Sequence, residues 1–179
     1  MTAEKRAIDL GEALGRVGVR TAPDSGTTDR VGEIYVMLTY DCNLRCRMGP
    51  LWGERGFCHP PGERGGAETR AVADVVRFVR EAHAFGPRTV TLSGGEPLLS
   101  PLFLPVVRAL DDLGVEVDVT TNGTLLSTLE VEDIARLHQV NLSLDGPPLV
   151  LRQLGRGGEA TLDNALAGMR RVIAARGAR

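Results

Sequence analysis

Val90-Thr91-Leu92-Ser93-Gly94-Gly95-Glu96-Pro97 joins a short apolar run, suited to a buried strand, to the glycine-rich turn that closes it. Adjacent glycines reach backbone angles closed to other residues and let a ligand approach the main chain. Exposed amides and carbonyls there can bind an amino-acid-like group, with Glu96 adding a carboxylate at the rim. An ordinary tight turn is the plainer account of two glycines taken alone.

The same pattern recurs on both sides of this stretch. Ile34 to Leu38 reads as a strand upstream, and Val115/Val117/Val119 and Val140/Leu142/Leu144 as two strands downstream. Helical patterns lie between them. Val72, Val75, Val76 and Val79 follow the i, i+3, i+4, i+7 spacing of one buried stripe. Val106, Leu110 and Leu113 repeat it, with Ser100-Pro101 as cap and first residue, Gly114 as a stop, and an irregular first turn forced by Pro105. Val131, Ile134 and Leu137 predict a shorter helix. A final helix presents Leu162, Leu166, Met169 and Ile173, opening near Thr161 and ending before Gly177. Strand and helix alternate four times, which predicts a parallel sheet with right-handed crossovers. Sites on such sheets sit at the carboxyl ends of strands.

Every unusual polar motif falls at one of those ends. After the first strand comes Tyr40-Asp41-Cys42-Asn43-Leu44-Arg45-Cys46, whose thiolates are soft ligands suited to iron–sulfur clusters. Two cysteines alone are equally well explained as small buried residues. After the third strand comes Thr120-Thr121-Asn122-Gly123-Thr124, and after the fourth Ser143-Leu144-Asp145-Gly146-Pro147. Each alone reads as a turn using Asn/Asp–Gly chemistry; their recurrence in series points to a shared site.

Composition bounds the class. A chain of 179 residues with 42% hydrophobic and 25% charged content is that of an ordinary globular domain. A net charge of −2 carries no nucleic-acid footprint, and the Arg170-Arg171 pair reads as a solvated helix face. No apolar run reaches the roughly 18 residues of a membrane span, and Asp9, Glu12 and several Gly stand where a secretion signal would need an unbroken apolar stretch, so the expected location is cytoplasmic. Residues 1–30 are expected to be a polar segment, with a short helix near Ile8 to Leu14 and a loop over Thr21 to Asp29; residues 31–179 form the domain. The three cysteines cluster between residues 42 and 58, favouring metal ligation over cross-linking.

From about residue 33 onward the chain resembles the radical S-adenosylmethionine (radical SAM) superfamily. The matching motifs are Cys42-x-x-x-Cys46, Gly94-Gly95-Glu96-Pro97, Thr121-Asn122-Gly123-Thr124 and Ser143-Leu144-Asp145-Gly146-Pro147, whose order and spacing make the match specific. The resemblance implies an α/β fold, a partial parallel (β/α) barrel of about four strand–helix units truncated relative to the family's usual six. It implies an oxidoreductase with a [4Fe-4S] cluster on cysteine thiolates and S-adenosyl-L-methionine on the cluster's fourth iron, cleaved to a 5′-deoxyadenosyl radical. Cys42 and Cys46 become cluster ligands, and Ser93, Gly94, Gly95, Glu96 and Pro97 contact the methionine moiety, with Glu96 near its ammonium. Thr121, Asn122, Ser143 and Asp145 line the cofactor pocket or its substrate side. A peptide or small-molecule substrate and an electron donor such as a flavodoxin or ferredoxin follow as partners.

The chain departs from the family's Cys-x-x-x-Cys-x-x-Cys pattern. Gly49 stands at the third position, and Met48 where an aromatic residue is common. The next thiol, Cys58, lies twelve residues beyond Cys46 and is preceded by Phe57, restoring the aromatic–Cys pair. Either a longer loop lets Cys58 replace the missing ligand, at about 1 kcal/mol of extra closure entropy, or the site has lost a ligand and the protein is a catalytically silent binding or accessory relative. A third arrangement places Cys42, Cys46, Cys58 and His59 around a structural zinc ion. His83 and His138 read as surface or packing residues.

Overall fold

Three runs rich in β-branched residues form strands β1 (Ile34–Thr39), β2 (Thr89–Gly94) and β3 (Glu116–Thr121), and a shorter run with Val140 alone forms β4 (Gln139–Leu142). In this computed structural model the described residues are 32–48, 52, 56–61, 71–83 and 85–177. The expected helix at 8–14, the loop at 21–29 and Gly49 lie outside them. Among the described residues the strands form one parallel sheet in the order β1-β2-β3-β4. Its register aligns Val36, Leu92, Val119 and Val140 as one apolar row across the sheet.

Helices α1 (Val72–His83), α2 (Phe103–Asp111) and α3 (Val131–Ala135) occupy the connections, and α4 (Pro148–Gln153) and α5 (Glu159–Gly177) follow β4. Val75 and Val79 of α1, Val106, Val107 and Leu110 of α2, and Ile134 of α3 pack with the strand residues into one core. The architecture is α/β, a partial parallel (β/α) barrel of four strand–helix units. No described helix is long and apolar enough to cross a membrane.

Several local expectations are corrected. Helix α2 begins at Phe103 rather than Pro101, because Ser100 closes a 3-10 turn over Pro97–Leu99 by donating its N–H to Pro97 O. Pro105 then sits in the first helical turn, where a missing N–H is harmless. Leu113 lies beyond the helix and is exposed, as Val131 is on α3. Leu144 falls outside β4 and is exposed. Helix α4 had no periodic signal.

Helix α5 buries Ala165, Gly168 and Val172 instead of the expected leucine stripe, and Ile173 is 64% exposed. Small residues decide this face, since a Cβ on Gly168 would meet Leu126 and Ala165 lies against Gly123. The helix therefore approaches the 3-10 turn over Leu126–Thr128 closely. Arg171 also leaves the solvated face assigned to it, donating from Nε to Leu129 O at 2.9 Å. His138 pairs through Nδ1 with Asp118 at 2.9 Å, just before β4.

Candidate functional site

The carboxyl ends of the strands close around a cavity of about 180 Å³. Cys42 and Cys46 reach it from the loop after β1, and Cys58 from the segment before α1. Ser93, Gly94 and Gly95 supply the wall at the end of β2, Thr121 and Asn122 that at the end of β3, and Ser143 that after β4. Glu96, Pro97 and Asp145 are not on this wall. A larger groove of about 470 Å³ opens at the amino end of β3, beside Glu116, His138 and Arg176, and contains none of the motif residues.

Main-chain pairing delivers Cys58. Cys42 N–H donates to His59 O at 3.0 Å and His59 N–H to Tyr40 O at 3.2 Å, a short parallel bridge centred on Asp41 and His59. Phe57 packs edge-on against Tyr40 with ring centroids 5.8 Å apart. The Phe57-Cys58 pair therefore lies beside Tyr40 and Cys42 despite its separation in sequence. His59 Nδ1 faces Asp41 Oδ1 at 2.9 Å. Among the described residues, no group of three His, Cys, Asp or Glu side chains is arranged to hold a metal ion. A structural zinc ion needs all its donors within about 2.3 Å of one point; what the three thiols share is the lining of one cavity.

The other flank of the cysteine loop is held by the segment after α4. Arg45 N–H donates to Gly155 O at 3.1 Å and Arg47 N–H to Leu154 O at 2.7 Å. Gly155 has φ +72°, and a Cβ there would run into Arg45 O. Gly155→Ala should therefore destabilise the protein by about 2 kcal/mol from the left-handed backbone alone, with the collision adding to it. Thermal unfolding followed by circular dichroism checks this; an unchanged midpoint would mean that the clamp is not formed.

The next residue, Arg156, is a site residue that sequence reading missed. It is 7% exposed, lines the cavity, reaches Asp145 Oδ2 from Nη1 at 2.6 Å and donates from Nη2 to Ser143 O at 2.9 Å. Asp145 therefore serves the cavity through Arg156. Leu44, Trp52 and Thr120 complete the wall and were also missed.

Glu96 is not at the rim but fully buried. Its Oε1 accepts from Thr121 Oγ1 at 2.7 Å and Leu98 N–H at 3.2 Å, and Oε2 accepts from Asn122 N–H at 2.9 Å. The carboxylate thus braces the end of β2 against the end of β3. The two glycines before it are packed on the chain itself. Gly95 N–H donates to Thr39 O and Glu96 N–H to Asp41 O, both at 2.8 Å, and a Cβ on either glycine would strike that backbone. Asn122 Nδ2 donates to Asn43 Oδ1 at 2.8 Å, tying β3 to the cysteine loop.

Burial pushes all three thiols up, so they stay protonated near neutrality without metal. Cys58 rises furthest, to about 11, by desolvation and then by the neighbouring Cys42 and Cys46. Cys42 is raised by burial and by Cys46 and Glu96, opposed by the Leu44 N–H that donates to its Sγ at 3.5 Å and by Arg156. Cys46 is raised by burial and Asp145 and drawn back by Arg156. Each thiol in reach of the others and one cation beside two of them make a pocket suited to a group that replaces the thiol protons.

A family model described as the radical SAM superfamily matches residues 36–177. A probable GTP 3′,8-cyclase of Sulfurisphaera tokodaii is 34% identical over 154 residues, covering 82% of this chain and 46% of that protein. Another, from Pyrococcus abyssi, is 35% identical over 116 residues, covering 64% of this chain and 35% of that protein. The chain thus spans a third to a half of the length of these curated relatives. Among solved structures, Streptococcus suis SuiB bound to precursor peptide SuiA superposes with a TM-score of 0.59 at 18% identity, over 92% of this chain and 33% of that one. SuiB bound to S-adenosylmethionine gives 0.55 at 20% identity, over 80% of this chain and 30% of that one.

Proposed function

The chain belongs to the radical SAM superfamily, and from that membership we propose that Cys42, Cys46 and Cys58 hold a [4Fe-4S] cluster in a domain, residues 31–179, that cleaves S-adenosyl-L-methionine reductively. The observation supporting this most directly is the bridge that brings a third buried thiol, Cys58, onto the wall shared by Cys42 and Cys46. When bound, such a cluster supplies the electron that splits the sulfonium into methionine and a 5′-deoxyadenosyl radical.

The protein's own part is binding and orientation. The N–H groups of Gly95 and Glu96 are spent on Thr39 and Asp41, and the carbonyls of Glu96 and Pro97 accept from Leu99 and Ser100, so the carbonyl oxygens of Ser93 to Gly95 are the part of the turn that suits an ammonium group. Glu96 holds Thr121 and Asn122 in register with that turn, and Pro97 fixes the start of the 3-10 turn behind it. Arg156, aimed by Asp145 and Ser143, sets a cation for a carboxylate.

The electron donor is a flavodoxin- or ferredoxin-type protein. The relatives' names make GTP the first substrate to assay, with a peptide as the second. Anaerobic reconstitution with iron and sulfide, then measurement of iron content, EPR and 5′-deoxyadenosine under reduction, tests the reading. An EPR-active cluster with 5′-deoxyadenosine formation supports it. A cluster without that product identifies the silent accessory relative, and stoichiometric zinc without iron overturns cluster binding.

A further inference from the structure

Trp52 is the chain's one tryptophan, and its indole lines the same cavity as Cys42, Cys46 and Cys58. The Arg45 guanidinium lies over its ring at 5.9 Å from the centroid, so the indole is packed against the cysteine loop. Its Nε1 is buried and meets no acceptor among the described residues. Buried indole N–H groups nearly always find an acceptor, because water is no longer there to take the bond. Asn122 Oδ1, on this wall, is engaged by Thr124, and the oxygens of Glu96, which lies off it, are taken by Thr121, Leu98 and Asn122.

We propose that the Trp52 indole N–H is a hydrogen-bond donor to a sulfur of the iron–sulfur group held by the three cysteines, and so sets its reduction potential. The proposal rests on the cluster reading above. A bound cluster carries electron-rich thiolate and sulfide sulfur, which would supply an acceptor in the cavity that Trp52 lines with Cys42, Cys46 and Cys58. Hydrogen bonds to cluster sulfurs favour the reduced, more negative state and raise the potential. Trp52 then tunes the cluster, while the thiols alone bind it.

Trp52→Phe keeps the aromatic face under Arg45 and removes only the donor. In the reconstituted protein its midpoint potential should fall so that the reduction equilibrium weakens by about tenfold, which is about 59 mV for a one-electron couple. Iron content should stay at the parent level. The parent protein supplies the second readout, since its sole indole reports alone. In ultraviolet resonance Raman the N–H bending band should move to its hydrogen-bonded position on cluster loading. If the parent takes up no cluster, both the site reading and this inference fall. If it does, but neither the potential nor the band responds, the inference alone is wrong. If the band moves only when S-adenosylmethionine is added, the acceptor belongs to that molecule and the assignment to sulfur is overturned.

Discussion

Cys58→Ala should leave the chain unable to keep a cluster. Parent protein reconstituted under anaerobic conditions takes up about four irons, and the variant should retain less than one, with 5′-deoxyadenosine formation reduced by more than about 100-fold. That loss exceeds the 10- to 100-fold typical of disturbing a ligand's supporting hydrogen bonds, because a cluster deprived of a thiolate exposes an iron to water and oxygen. The metal-free fold should barely respond. Cys58 is a small side chain held in place by main-chain pairing of His59 with Tyr40 and Cys42, which alanine leaves intact. Circular dichroism and thermal unfolding of the metal-free variant distinguish ligand loss from misfolding. If Cys58→Ala assembles a parent-like cluster, the thiol is a bystander. A cluster that appears only in Gly49→Cys would identify a site that has lost its ligand.

Glu96→Gln should weaken both the fold and cofactor binding. The carboxylate is enclosed and accepts three hydrogen bonds from two strand ends. An amide can offer only one acceptor atom, so one of its own N–H groups must face the Asn122 N–H or the Leu98 N–H and Thr121 hydroxyl. Leaving such buried groups unsatisfied costs about 1–3 kcal/mol, a fall in melting midpoint on the order of 5 °C for a chain of this length. S-adenosylmethionine affinity of the reconstituted protein should drop about tenfold as the ends of β2 and β3 lose register.

The pH dependence follows from the same group. Burial raises the Glu96 carboxyl above its ordinary value, opposed by the Asn122, Thr121 and Leu98 donors and by Arg156. The native state therefore holds this proton more tightly than the unfolded chain. Its contribution is complete below the unfolded carboxyl value and is lost as pH rises through the raised native value. Urea unfolding of the metal-free protein should show that slope in the mildly acidic range, and Glu96→Gln should flatten it. Equal slopes in the two proteins would mean that Glu96 is not enclosed in solution.

What could be read from the chain was local. The strand ending in Gly94-Gly95 and the three other motif-bearing strand ends declare themselves through neighbouring residues, so fold class and most of the cavity wall were legible. Helix α5 was misread because leucines at helical spacing outweigh Ala165 and Gly168 in any pattern, whereas close approach to Leu126 favours the small residues. Arg156 carried no signal. Its burial depends on Gly155 meeting the Arg45 carbonyl, a contact between segments far apart in sequence. Glu96 was recognised but misplaced, since nothing local says that Thr121 and Asn122 will occupy both its oxygens.

The pairing of His59 with Tyr40 and Cys42 has an evolutionary corollary. Amide and carbonyl atoms, common to nearly every amino acid, fix where the distal sulfur stands, so the count of residues since Cys46 has little bearing on its position. Drift in the intervening stretch, by gain or loss of residues, is then largely invisible to selection on the sulfur itself. Homologues with still other intervals should exist, recognisable by an aromatic–Cys–His triplet able to lie alongside the first strand's exit.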